Sequence, residues 1–161
     1  MNLSKAQFVE RYGGIYEHSP WVAEHCYAQV VEATNLADVF AACVDAAEYD
    51  ARLRLIRAHP DLAGRAAVAG ELTTESTSEQ ASAGIDQCTS EEFDRFVKFN
   101  DQYKKKFGFP FVMAVRNSNR HEILAAFEYR LENDAAGEFA TAMVEIHKIA
   151  RLRLEALSEH E

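Results

Sequence analysis

The sequence predicts an all-α protein, one domain built as a helical bundle of about seven to nine helices. Three observations predict it. Apolar residues recur mostly at three- and four-residue spacing, which places them on one face of a helix. Chain-breaking residues are scarce, with seven glycines and three prolines among 161 residues. No repeat, low-complexity tract or linker-like stretch divides the chain.

Each element has a local cause. Ser4 caps a short helix carrying Phe8 and Tyr12, which Gly13-Gly14 ends. In "SPWVAEHCYAQVV" Ser19 stands at an N-cap and Pro20 at the first helical position, where a missing N–H does no harm. From about Leu36 a longer helical stretch, broken near Tyr49-Asp50, runs to Ala58. The segment "AGRAAVAGELTTESTSEQ" is small, hydroxylated and weakly periodic, and reads as a broken helix and a loop, with helix resuming near Ser78. In "TSEEFDRFVKFNDQYKKKFG" Thr89 and Glu92 form a capping box. Phe93, Phe96, Val97, Asn100 and Tyr103 line one face of that helix, and Gly108 occupies the place of a left-handed C-cap. "FPFVMAV" is extended and strand-like. Asn119 or Ser118 opens "RHEILAAFEYRLEN", and Asp134 opens the last and longest helix. Its Phe139, Met143, Ile146, Ile149, Ala150, Leu152 and Leu154 form a broad apolar stripe.

Composition narrows the function. Seventeen basic against 26 acidic residues leave a net charge of −9, which argues against nucleic acid or an anionic membrane as partner. Three cysteines, Cys26, Cys43 and Cys88, lie at long spacings without a C-x-x-C pair. They read as buried thiols in a reducing compartment. The amphipathic start "MNLSKAQFVERYGG" is too polar for a signal peptide, "LSEHE" is not a peroxisomal address, and no apolar run reaches bilayer length. The expected location is the cytoplasm.

Four clusters could carry chemistry. His59 follows "EYDARLRLIRA" and precedes Pro60 and Asp61. Pro60 stops the helix and Asp61 caps the next element, which leaves His59 either an ordinary loop histidine or a fixed acid–base group. "HPD" after a basic helix also resembles a J-domain loop. Leu62 directly after Asp61, and a hundred residues of further helix, do not fit that module. The second cluster is "STSEQ", Ser76, Thr77, Ser78, Glu79 and Gln80. It is a solvated helix start or a set of hydroxyl, carboxylate and amide groups for one polar ligand. The third is the run Phe111, Val112, Met113, Ala114 and Val115. Its backbone N–H and C=O groups, lacking sheet partners, need pairing, and a flat heterocycle with alternating edges would supply it. The fourth is Arg153, which points about 200° away from Arg151 on the helix. It either reaches solvent or pairs bidentately with a carboxylate. His18, His25 and Cys26 are too awkwardly spaced for zinc, and His121 and His147 read as lone helix-surface histidines. No metal site is expected.

Taken in order, "HPDLAG", "STSEQASAGI", "FNDQYKKKFGFPFVMAVR" and "EIHKIARLRLEAL" resemble the 2-oxo-4-hydroxy-4-carboxy-5-ureidoimidazoline (OHCU) decarboxylases of urate degradation, from about Phe8 to Leu157. Ile85 departs mildly from the leucine common there. The resemblance implies an all-helical fold of its own type, no cofactor, a homodimer, and conversion of OHCU to (S)-allantoin with loss of CO2. It implies His59 as proton donor, with Pro60, Ser76 to Gln80 and Phe111 to Val115 as substrate contacts. Arg153 would be the cation of the pocket. A histidine of ordinary pKa near 6.5 suits proton donation, and Glu79 would hold the imidazolium charged.

Overall fold

A computed structural model describes residues 3–30, 35–63 and 72–159. Among the described residues the regular structure is helical: α1 (Lys5–Tyr12), α2 (Trp21–Val30), α3 (Leu36–Asp45), α4 (Tyr49–Arg57), α5 (Thr74–Ser82), α6 (Ser90–Phe107), α7 (Arg120–Leu131) and α8 (Ala135–Glu159), with one 3-10 turn at Ile85–Gln87. The all-α expectation holds. The chain forms two compact units, Met1–His59 with Ile146–Glu161, and Pro60–Glu145. Their boundaries fall between His59 and Pro60 and within α8.

In the first unit, Ser4 caps α1 in a full capping box with Gln7, so two orphan N–H groups are satisfied reciprocally. Phe8 packs against Tyr12, Tyr27 and Phe40 at ring-centroid distances of 4.8, 5.4 and 6.0 Å, joining α1, α2 and α3. Ser19 precedes α2, but its hydroxyl donates back to the Glu17 carbonyl at 2.8 Å. It therefore fixes the turn rather than capping the helix. The α3–α4 break falls at Ala46–Glu48, just ahead of the expected Tyr49. The Cys26 and Cys43 side chains meet where α2 packs on α3, their Cα atoms 6.2 Å apart. Helix packing brings together two residues whose spacing in sequence gave no sign of it.

In the second unit, α5 starts four residues before the expected Ser78, because the Thr73 side chain accepts from the Ser76 N–H. The preceding residues 64–71, part of the expected broken helix and loop, lie outside the described residues. Helix α6 has the expected Thr89–Glu92 box. Its acidic first turn and Lys104, Lys105 and Lys106 in its last turn complement the helix dipole. Gly108, at φ 80°, ends it in the left-handed region that glycine enters without penalty. The chain then runs from Phe109 to Val115 without helix and, among the described residues, without a strand partner. Phe111 anchors that run by stacking on Phe127 at 3.8 Å. Asn119 caps α7, and the Asp134 carboxylate accepts from the Gly137 N–H at the start of α8.

Candidate active site

The α4 helix ends at Arg57, and the two residues beyond it close its last turn. The His59 backbone N–H donates to the Ile56 carbonyl at 3.1 Å. Its ring Nδ1 lies 2.8 Å from the Leu55 carbonyl. A carbonyl only accepts, so Nδ1 carries the proton and the neutral ring keeps its lone pair on Nε2. His59 thus completes the helix end and has its tautomer set by doing so. The residue is only 8% exposed, and loss of solvation pushes its pKa down to about 4. The carbonyl of Leu55 and the charge of Glu17 oppose that fall, while the charge of Arg153 adds to it. The ordinary pKa near 6.5 expected from the sequence is therefore replaced by a lowered one, and the ring is neutral at pH 7.

Arg153 turns inward, as its angular separation from Arg151 requires. Arg151 reaches the exposed Asp38 at 3.1 Å, whereas Arg153 is buried. Its Nη2 donates to Glu17 Oε2 at 2.7 Å and its Nη1 to the Gly14 carbonyl at 3.1 Å. Glu17 is 1% exposed. Both terminal nitrogens are therefore held by the α1–α2 turn, with an ion pair taken out of water. Such pairs persist only with good geometry and supporting hydrogen bonds. Arg153 and Glu17 form a buried ion pair in the first unit, and the charges of both act on the buried His59; Glu17 was not singled out from the sequence.

The second unit carries the other two clusters. On α5, Ser76 and Gln80 are buried and Glu79 is half-buried, while Thr77 and Ser78 are exposed. Helical spacing explains the split, since positions i, i+3 and i+4 share a face. The Thr77 hydroxyl bonds back to the Thr73 carbonyl. Gln80 Oε1 accepts from the Ala63 N–H at 3.0 Å and Nε2 faces the Asp61 carbonyl at 3.4 Å, so this amide braces the backbone after Pro60. Asn100 donates to the Leu62 carbonyl. Asp61 pairs with Lys104 at 2.7 Å, and any element it would cap lies outside the described residues. A cavity of about 600 Å³ is lined by Thr77, Gln80, Ala63, Ile85 and Phe93, with no residue of the 111–115 run on its wall.

That run is held along one edge. The Val112 carbonyl accepts from Arg130 Nη1 at 2.7 Å, and the Ala114 N–H donates to Glu145 Oε1 at 3.1 Å. Arg130 is itself fixed: its Nε meets Glu138 Oε1 at 2.8 Å, with the Tyr103 hydroxyl donating to the same oxygen at 2.5 Å. Its guanidinium lies 4.2 Å from the Phe111 ring centroid. Burial and the adjoining Glu138 push the Tyr103 hydroxyl well above its ordinary pKa. Sequence reasoning missed this network, because Arg130 and Glu138 occupy ordinary helical positions.

Other histidines fall outside these clusters. His147 is not a lone surface residue: its Nε2 faces Asp45 and its Nδ1 the Tyr16 hydroxyl, both at 2.9 Å. His121 is 72% exposed, 3.6 Å from Glu92. Among the described residues no group of three or more His, Cys, Asp or Glu is placed to hold a metal ion, and no helix is long and apolar enough to cross a membrane.

Comparison with known proteins adds what geometry alone does not. A family model described as OHCU decarboxylase matches residues 1–155. The chain is 42% identical over 154 residues to the 2-oxo-4-hydroxy-4-carboxy-5-ureidoimidazoline decarboxylase of Haloferax volcanii, covering 94% of this chain and 89% of that one. The crystal structure of (S)-allantoin synthase matches with TM-score 0.76 and 32% identity over 96% of this chain, which spans about half (51%) of that one. The structure of OHCU decarboxylase in the presence of (S)-allantoin matches in fold, with TM-score 0.63 and 24% identity over 83% of this chain and 89% of that one. The chain belongs to the OHCU decarboxylase family.

Proposed function

We propose that the protein converts OHCU to (S)-allantoin and CO2 without a cofactor, in the breakdown of urate. The observation that carries this reading is the alignment with a decarboxylase of that name along nearly the full length of both chains. The chemistry agrees with it. The carbon that loses CO2 bears a hydroxyl and adjoins a ring C=N. The C–C bond breaks, its electron pair forms a ring C=C, and the imine pair moves onto nitrogen, which takes a proton. The resulting enol then takes a proton at the ureido-bearing carbon while its hydroxyl loses one to become the carbonyl. The substrate thus holds its own electron sink. The protein's part is orientation, charge stabilisation and protonation on one face.

In this reading His59, Glu79 and Arg153 are the catalytic residues. His59 relays the proton through Nε2: a neutral ring takes the hydroxyl proton and returns one to carbon. Arg153 orients an anionic part of the substrate. Pro60 and the α5 residues Ser76, Thr77, Ser78, Glu79 and Gln80 are substrate contacts. So is the run Phe111, Val112, Met113, Ala114 and Val115. We take residues 1–161 to act as one functional domain in a cytoplasmic homodimer.

The test is to generate OHCU in situ from urate and follow the optical activity of the allantoin formed. Wild type enriches one enantiomer quickly. His59→Ala slows turnover by about 10²- to 10⁴-fold and leaves slow, racemic product. Purified wild-type protein that lets OHCU decay at its spontaneous rate would overturn the reading.

A further inference from the structure

Glu17 has no part in the reaction as described above, yet it is among the least accessible charged groups in the protein, at 1% exposure. It sits in the turn between α1 and α2. Ser19 fixes that turn by donating to the Glu17 carbonyl. Its carboxylate meets Arg153 at 2.7 Å, while the Gly14 carbonyl of the same turn holds the other terminal nitrogen. A guanidinium is planar, so two contacts from one side set the plane and aim of the whole group. A carboxylate this deeply buried is costly unless paired. The chain therefore keeps Glu17 where an apolar residue would pack, directly against the arginine assigned to the substrate.

We propose that Glu17 is a positioning residue for the decarboxylation: it aims Arg153 and holds back part of its charge, so that the substrate's carboxylate is oriented without being gripped too tightly to leave. The inference rests on the functional reading above and deepens it. When CO2 departs, negative charge moves off the carboxylate and into the ring. An unbalanced arginine on the carboxylate stabilises the ground state more than the transition state, which raises the barrier. An arginine already paired with Glu17 keeps its directional hydrogen bonds and gives up much of that surplus. The groups facing His59 within its unit belong to the same device. Glu17 favours its protonated form and Arg153 disfavours it, while the carbonyls of Leu55 and Ile56 hold the ring and the backbone.

Three measurements on the full chain test this. Steady-state kinetics on OHCU compare wild type with Glu17→Gln and Glu17→Asp, and histidine NMR follows the titration of His59 in each. Glu17→Gln, which keeps the shape and removes the charge, is expected to lose about tenfold or more in kcat while KM stays level or falls, the pattern of excess ground-state binding. Its His59 titrates at lower pH than in wild type. Glu17→Asp keeps the charge and retains kcat within about threefold. A general loss of structure gives a different pattern, with KM rising or Asp as damaged as Gln, and either result would refute the proposal. So would a Gln variant with kcat within twofold of wild type. If Glu17→Gln does not fold, Glu17→Asp decides alone, by the same threefold criterion. A wild type inactive on OHCU sinks the functional reading instead, and the NMR titration then shows separately whether Glu17 acts on His59.

Discussion

Acidification should unfold this protein through His59 in a calculable way. Burial holds the ring's pKa at about 4, against 6.5 for the exposed group. Below pH 6.5 the unfolded chain therefore takes up a proton that the folded chain refuses. Stability is full above that pH and is lost as pH falls toward about 4. At about 1.36 kcal/mol per pH unit, the window between the two values amounts to roughly 3 kcal/mol. For a chain of this length about 2–4 °C of melting temperature accompanies each kcal/mol. Wild type should thus lose roughly 6–12 °C between pH 7.5 and pH 4 from this group alone. Carboxylates also titrate there, so the assay is a difference: thermal unfolding of wild type and His59→Asn in parallel. Asparagine has an amide that can donate to the Leu55 carbonyl and cannot be charged. Its melting temperature should fall less on acidification, by the stated margin. Parallel curves would refute the neutral, desolvated imidazole on which the proton-relay argument depends. The same depressed pKa places the acid limb of kcat/KM, if His59 governs it, below the ordinary histidine range.

Three further variants, all in the second unit, have stated outcomes. Glu138→Ala leaves Arg130 charged and buried without its carboxylate, and should lower urea stability by about 3–5 kcal/mol. The KM for OHCU should rise as the tether on the Val112 carbonyl loosens; an unchanged urea midpoint would show that the pair is dispensable. At the ends of α6, Thr89→Ala removes half of a capping box and should cost about 1 kcal/mol. Gly108→Ala forces a side chain to φ 80° and should cost about 1–2 kcal/mol, both read from denaturant midpoints.

The parts of the fold legible in the sequence are those with local causes. The Thr89–Glu92 box and Gly108 bracket α6 with signals only a few residues long, and both ends fell where they were read. The start of α5 was misplaced because Thr73, Thr74, Ser76, Thr77 and Ser78 are all plausible caps. Which one accepts the N–H depends on what the helix face is packed to bury, here Ser76 and Gln80. The Cys26–Cys43 contact had no local signal at all, since it follows from how α2 packs on α3. The site divides in the same way. His59 could be picked out because a proline fixes the chain beside it, and Arg153 because it flanks an apolar stripe. Arg130, on a helix whose sequence shows little amphipathic contrast, could not.

Glu17 shows why the remainder was hidden, and what its concealment implies for catalysis. It lies 136 residues from Arg153, in a turn with no helical period, and is one of 26 acidic residues in a chain with ample negative charge. Nothing local says which acid meets the inward arginine; only a buried cation needing a partner selects one. With His59 neutral, the three groups carry no net charge, the cheapest condition for ionisable groups out of water. Arrival of a substrate carboxylate would add one negative charge to that cluster. Departure of CO2 followed by uptake of a proton would remove it. On this reading the protein's internal charge balance favours the product side of the step, and the anion that must be lost is the one group the cluster has no spare charge to retain.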